Sequence, residues 1–280
     1  MTTAQKVIKY MATAFAIFLV ITIVLTILGG VYSLLTALKL INKKNNDDVV
    51  LEDVKVISSD VKEVSTLKID LSCTNLNIKV GEDFKVETNN SKITFEENDG
   101  SVKIKEENRK WLNSKNVTSN LIIYIPENMA QIDEIKISTG AGKINIEKLN
   151  VQSLYLELGA GDVHIENVIV TKEAKIDGGV GKNEFKSCEI NNLKANLGVG
   201  GFVFDGKLIG KNKIDSGVGS IDISLMGKKE NYTVGVDKGV GNITIDGQKV
   251  EKEGTYGNGE NYIEIDGGIG EIKLNYNEVI

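Results

Sequence analysis

The stretch "STGAGKINI" at residues 138–146 is followed down the chain by close copies: "LGAGDVHI", "GGVGKNEF", "LGVGGFVF", "SGVGSIDI", "KGVGNITI" and "GGIGEIKL". Their glycine pairs are Gly140 and Gly142, Gly159 and Gly161, Gly179 and Gly181, Gly198 and Gly200, Gly217 and Gly219, Gly239 and Gly241, and Gly268 and Gly270. The first members stand 19, 20, 19, 19, 22 and 29 residues apart. Ahead of a pair apolar residues alternate, as in Leu154, Leu156, Leu158 and Ala160, whereas beyond it the apolar positions are Val163 and Ile165. Side chains alternate faces along a strand, so this change of parity requires a bend. Glycine tolerates the positive φ and the close backbone approach that such a bend imposes. One short unit cannot bury its apolar face alone, but stacked units share a continuous core. The repeat therefore predicts an all-β fold: a single-stranded parallel β-solenoid, or β-helix, with glycine corners stacked in a column about 4.8 Å apart. The Ala, Val or Ile between each pair is expected to point inward. The crossover rule for parallel strands favours a right-handed coil.

Residues 131–280 carry the repeats. Residues 51–130 also alternate apolar with polar, and "SCTNLNI" lines up with "GAGKINI", which makes it a degenerate first coil with Cys73 at the inward position. A strand, "LIIYIPENM", is ended by Pro126, the only proline. This segment is expected to cap the upstream end of the solenoid. Downstream, the coil Ile263–Tyr276 is expected to close the stack. The insertion "DGQKVEKEGTYGNGENY" is expected to fold beside it as a hairpin, anchored by Tyr256 and Tyr262, and to shield its edge.

From Tyr10 to Leu38 the chain has 29 residues without a charge. About 20 helical residues span a bilayer core, so residues 10–38 read as a retained transmembrane helix, flanked by residues 1–9 and by a charged linker at 39–50. Lys6, Lys9 and the α-amine on one flank balance Lys39, Lys43 and Lys44 on the other, so the positive-inside rule gives no orientation.

Composition removes several functions. A net charge of −6 and a single arginine, Arg109, argue against nucleic-acid binding. A single histidine, His164, excludes a two-histidine zinc site, and nothing calls for a cofactor. Cys73 and Cys188 show no motif spacing; both are expected to be buried, unreactive and unpaired.

Two positions before each first glycine stand Ser138, Glu157, Asp177, Asn196, Asp215, Asp237 and Asp266, an outward column rich in carboxylates. Lys136, Lys175, Lys194 and Lys213, two residues earlier on the same face, make an exposed Lys–Asp lattice the favoured reading. Asp237 and Asp266 are the candidate calcium ligands, because Gly235 and Glu264 replace the lysine there. His164 has Asn145 and Glu184 as expected column neighbours and reads as a surface histidine beside a carboxylate. No pattern places a Ser or Cys nucleophile with it.

The uncharged N-terminal run, "LIIYIPEN", "IDEIKISTGAGKINI" and the "LELGAGDVHIENV"-like coils together resemble a bacterial putative-adhesin family with β-strand repeats that includes LiaG-like cell-envelope proteins. The resemblance spans residues 50–280 and implies an extracytoplasmic envelope protein, without catalytic residues to carry over. The sequence thus reads as a single-pass cell-membrane protein, held in the bilayer by residues 10–38. It presents a non-catalytic module to an envelope protein or cell-wall glycan. The rival readings are a carbohydrate-active enzyme acting through the carboxylate column and a cytoplasm-facing scaffold or regulator.

Overall fold

The computed structural model describes residues 54–58, 61–107, 119–129, 131–250 and 254–277. The expected membrane helix at 10–38, its flank and the charged linker lie outside them. Among the described residues no helix is long and apolar enough to cross a membrane. Residues Leu51–Ile280 form one compact unit.

The coil around Gly159 shows how the alternation becomes a closed turn of chain. Leu154 and Leu156 point inward, the backbone bends through Gly159–Gly161, and Val163 and Ile165 resume the inward face. A second bend follows at Asn167, whose φ of 55° is left-handed, after which Val168 and Val170 are buried. Equivalent second bends occur at Lys148 and Ser187, whereas from Phe202 the inward face runs on without a bend through Phe204, Gly206 and Leu208. Each bend lets a chain with a two-residue period keep its apolar side chains on the inside.

Successive coils pair in parallel and in register. One inward column runs Leu76, Ile144, Val163, Asn183, Phe202, Ile221, Ile272 and Ile243, all buried. Asn183 is its one polar member; beside it the rings of Phe185, Phe202 and Phe204 pack with centroids 5.8 and 6.3 Å apart.

The glycine corners stack as the repeat demands. A Cβ on Gly159 would lie 2.1 Å from the carbonyl oxygen of Gly140, and one on Gly179 would lie 1.9 Å from that of Gly159. The second glycines, such as Gly181 at φ +147°, add the backbone conformation that side chains disfavour. The residue between each pair does not point inward as expected. Only Ala141 is buried; Ala160, Val180, Val199 and Val218 are half-buried, and Ile269 and Val240 are 42% and 65% exposed. A corner built from two bent glycines turns its central side chain out of the coil. Cys73, at the same position of the first coil, is likewise half-buried, while Cys188 is buried.

The end of the stack also differs from expectation. Lys211–Val218 and Ile221–Met226 pair with Asn261–Ile269 and Ile272–Asn277, the last coil in sequence. That coil in turn pairs with Tyr232–Val240 and Ile243–Ile245. The corners therefore stack in the order Gly217, Gly268, Gly239, and the coil around Gly239 is outermost. Gly254–Gly257 and Gln248–Val250 run antiparallel along its two strands, so the insertion does cover an edge, though not that of Ile263–Tyr276. The reason is the turn. Asp246 and Gly247 have φ of 50° and 71°, a tight hairpin link that folds the chain straight back on the strand just completed. The coil that follows is left to fill the slot behind.

The upstream end follows the same plan. Thr66–Leu71 and Asn75–Gly81 form an inner coil, and Ser101–Glu106 with Asn120–Pro126 form an outer one. Ile93–Asn98 and Lys85–Thr88 cover the outer coil antiparallel. Again an Asp-Gly link, Asp99–Gly100 with φ of 49° and 75°, makes the hairpin. Glu106 finishes this end. Its buried carboxylate accepts hydrogen bonds from the Ser72 and Cys73 backbone N–H groups at 2.8 and 3.0 Å, from the Thr74 hydroxyl and from the Asn90 amide. In the next coil the Ala141 N–H donates to the Ser72 carbonyl. Glu106 thus stands where a further corner carbonyl would be.

Candidate functional site

On the strands leading into the corners, alternate side chains face outward. The register aligns Asp70, Ser138, Glu157, Asp177, Asn196, Asp215, Asp266 and Asp237 into one ladder. The lysine column meets it as a lattice. Lys136 Nζ lies 2.7 Å from Glu157, and Lys175 Nζ lies 2.7 Å from Asp177. Ser138 donates to Glu157 at 2.8 Å, and the Asn196 amide donates to Asp177 at 2.7 Å. Hydrogen bonds from Lys136 and Ser138 hold Glu157 below the usual carboxylate range, and those from Lys175 and Asn196 do the same for Asp177.

Lys213 is the most heavily engaged cation. Its Nζ sits 2.8 Å from Glu264, 2.9 Å from Asp266 and 3.3 Å from Asp215, and hydrogen bonds to Glu264 and Asp266 push its pKa well above that of an ordinary lysine. Asp215 titrates above its usual value, because burial and a hydrogen bond with Asp266 outweigh Lys213. Asp266 titrates below it, held chiefly by the Lys213 ammonium. The two carboxyls thus act as a pair with opposite tendencies.

This arrangement removes the premise for calcium between Asp237 and Asp266. The lysine-free neighbourhood assumed for Glu264 does not exist, since the exchanged coil order seats Glu264 and Asp266 against Lys213. Among the described residues, no group of three or more His, Cys, Asp or Glu side chains is disposed to hold a metal ion.

Asp215, Asp266 and Asp237 border a groove of about 720 Å³ that runs along the corners. Its floor is made of Gly178, Gly198, Gly217, Gly239, Gly267 and Gly268, with Asn196, Leu197 and Ser216 completing the lining. The glycines keep the floor shallow, because no side chain rises from it. Beside the groove runs the outward ridge of Ala160, Val180, Val199, Val218, Ile269 and Val240, in register from coil to coil.

His164 lies on the strand beyond the corner, so the fold does not bring it to the carboxylate ladder. Its neighbours across the ladder are Asn145 and Glu184. Nδ1 is 3.0 Å from Glu184, and Nε2 is 3.7 Å from Glu166. Burial alone would raise Glu184; hydrogen bonds from Lys182 and His164, with the charges of Lys182 and Lys186, instead bring it down to about 2.

The stacked glycine corners, parallel ladders and antiparallel end strands define a capped β-solenoid. A family model for Toastrack DUF4097 matches residues 64–204, half of the chain, and the protein belongs to that family. The match ends within Phe202–Ile209, ahead of the coils that carry Asp215, Asp266 and Asp237. Two solved structures are similar. One, described as a "putative cell adhesion protein" from Clostridium sporogenes, is 18% identical with a TM-score of 0.38, covering 80% of this chain and 99% of its own. The other, a "putative adhesin" from Bacteroides fragilis, is 13% identical with a TM-score of 0.32, covering 80% and 98%. No curated protein matches the chain.

Proposed function

We propose that this protein is a non-catalytic interaction module of the cell envelope, anchored in the membrane by residues 10–38 and displayed outside the cytoplasm. The observation that carries the reading is the pairing of the carboxylate groove with the apolar ridge along one line of corners. Together they offer an extended partner both hydrogen-bond acceptors and apolar contact on a rigid wall. Most carboxylates of the ladder are already engaged by lysine, which suits recognition better than proton transfer. The anchor rests on the 29-residue uncharged run, and the extracytoplasmic placement on what membership of this type of family implies.

The test uses full-length protein in detergent and purified cell-wall glycan. Binding that falls with Val240→Asp or Ile269→Asp, and with the paired change Asp215→Asn and Asp266→Asn, supports the reading. Binding untouched by all of these overturns the choice of face. Protease added to intact protoplasts checks the placement: the repeats are expected to be digested, and full protection favours a cytoplasm-facing scaffold.

One observation favours a second reading, glycan cleavage. Asp215 and Asp266 are neighbouring carboxyls pushed in opposite directions, the tendency that sets an acid apart from a base. Release of reducing ends from the same glycan, lost in either single Asn variant, establishes that chemistry.

A further inference from the structure

The coil Asn261–Asn277 occupies a slot whose two walls are complete without it. One wall is Lys211–Val218 with Ile221–Met226; the other is Tyr232–Val240 with Ile243–Ile245. Lys211 and Thr233 face Tyr262 from opposite sides, and Ile221 and Ile243 face Ile272 in the same way. The walls therefore stand two ladder spacings apart, about 9.6 Å. Residues 227–231, which include a short 3-10 turn at Lys229–Asn231, connect one wall directly to the other. The chain thus leaves the slot open when it passes, and returns to fill it only after the hairpin strands Gln248–Val250 and Gly254–Gly257 are in place.

What holds the filling coil is the same whichever chain supplies it. Its ladders run to both walls, and Ile263, Ile265, Ile272 and Leu274 are buried in the common core. Glu264 and Asp266 meet Lys213 of the wall. The attachment to its own chain is the short stretch Asn258–Glu260, next to Gly257 at φ +84°. An unfilled slot presents unpaired strand edges on each wall, and such edges capture strands. A tether this short favours the chain's own coil when copies are dilute, while a second copy competes as local concentration rises.

We propose that Asn261–Asn277 is an exchangeable coil, and that the partner fitted to this slot is the same segment of a second copy of the chain. Reciprocal exchange joins two copies without any contact that a single copy lacks.

The test uses full-length chains in detergent carrying Cys73→Ala and Cys188→Ala. Asp222→Cys is placed on one chain and Lys273→Cys on another of different tag, since Asp222 and Lys273 are register partners across the slot. The two are unfolded together and refolded at low and at high concentration. Exchange predicts a disulfide between the chains, with a yield that rises with concentration. Val203→Cys paired with Asp222→Cys joins neighbouring coils that follow one another directly in the chain, and is expected to give no such link. A single chain carrying both Asp222→Cys and Lys273→Cys closes on itself and verifies the geometry. Self-closure without any link between chains overturns the proposal, as do equal links from both pairs, which report general association. Sizing of wild-type chains refolded at high concentration is independent of these variants: exchange predicts a dimer retained on dilution, and its absence counts against the idea.

Discussion

Gly161 carries φ +141°, and a Cβ added to it would lie 1.8 Å from the carbonyl oxygen of Gly142 in the coil above. Neither a rotamer change nor a flexible neighbour relieves that contact, because the obstacle is backbone held in a ladder. Gly161→Ala is therefore expected to cost at least about 3 kcal/mol, from strained backbone and displaced corners together. Gly254, with nothing within 4 Å of its Cβ position, supplies the control. Gly254→Ala is expected to stay within about 0.5 kcal/mol of wild type, as surface changes do. Urea unfolding of both variants measures the difference, and equal losses contradict the stacked-corner account.

Glu106 replaces a missing corner with a side chain, so its removal takes one acceptor from several donors at once. Glu106→Ala leaves the Ser72 and Cys73 N–H groups without their acceptor, at an expected cost of about 3 kcal/mol. Glu106→Gln keeps the size and one acceptor oxygen and is expected to lose less. Hydrogen exchange resolves where the damage falls: protection is expected to drop first over Thr66–Gly81 and to hold around Phe185 and Phe204.

These two sites differ in how visible they are in the sequence. Seven glycine pairs and a parity change announce the corner, so coil, register and thin backbone were all legible there. The second bend was not, because Lys148, Asn167 and Ser187 share a left-handed backbone but no residue type. The coil order was hidden for the opposite reason. The copies around Gly217, Gly239 and Gly268 are so alike that any can stack on any other, and what decides is the Asp246–Gly247 turn that sends the chain back on itself. The groove inherited both limits. Its carboxylate column followed from spacing, whereas the meeting of Lys213 with Glu264 and Asp266 depends on the exchanged order. The ridge is hidden in the sequence because alternation assigns apolar residues to the interior, whereas a double-glycine corner turns its centre outward.

Acid should act through Glu184. Its carboxyl is lowered from 4.5 to about 2 in the folded chain, so the ionised form is the one that folding favours. A lowered folded value contributes stability above the unfolded value, and that contribution is lost as pH falls from about 4.5 towards about 2. Glu184→Gln removes it. The variant is expected to be less stable than wild type near neutrality, and the difference is expected to shrink through that window. Urea midpoints taken down the pH range measure the convergence; parallel curves exclude Glu184 as its source.

The two thiols are expected to separate in reactivity. Burial pushes Cys188 up to about 11, which leaves almost no thiolate at mildly alkaline pH, and its side chain is inaccessible. Cys73 is half-buried on the line of the outward corner centres. A maleimide reagent is expected to label one thiol per native chain and two after denaturation, with peptide mapping placing the first at Cys73. Native labelling of Cys188 indicates an opening of the core around Phe185.

The downstream cap gives the last test, because its two strands cover the only outer ladder edges at that end of the described residues. Gln248–Val250 lies on Ile243–Ile245, and Gly254–Gly257 lies on Tyr232–Val240. Both are antiparallel, and both occupy edges that another strand otherwise takes. Deleting Gln248–Gly257 leaves Asp246–Gly247 and Asn258–Gly259–Glu260 to cross back by one coil, a distance that the two residues 171–172 span in the opposite direction between Val170 and Glu173. The core columns through Ile243 and Ile245 stay in place. The shortened chain is therefore expected to fold with its ladder edges bare and to associate progressively as concentration rises, as seen by light scattering. This association differs from coil exchange: it grows beyond two copies, and it reverses on dilution. Loss of folding at every concentration assigns the cap to the core instead, and a stable monomer shows that the outer edge needs no guard.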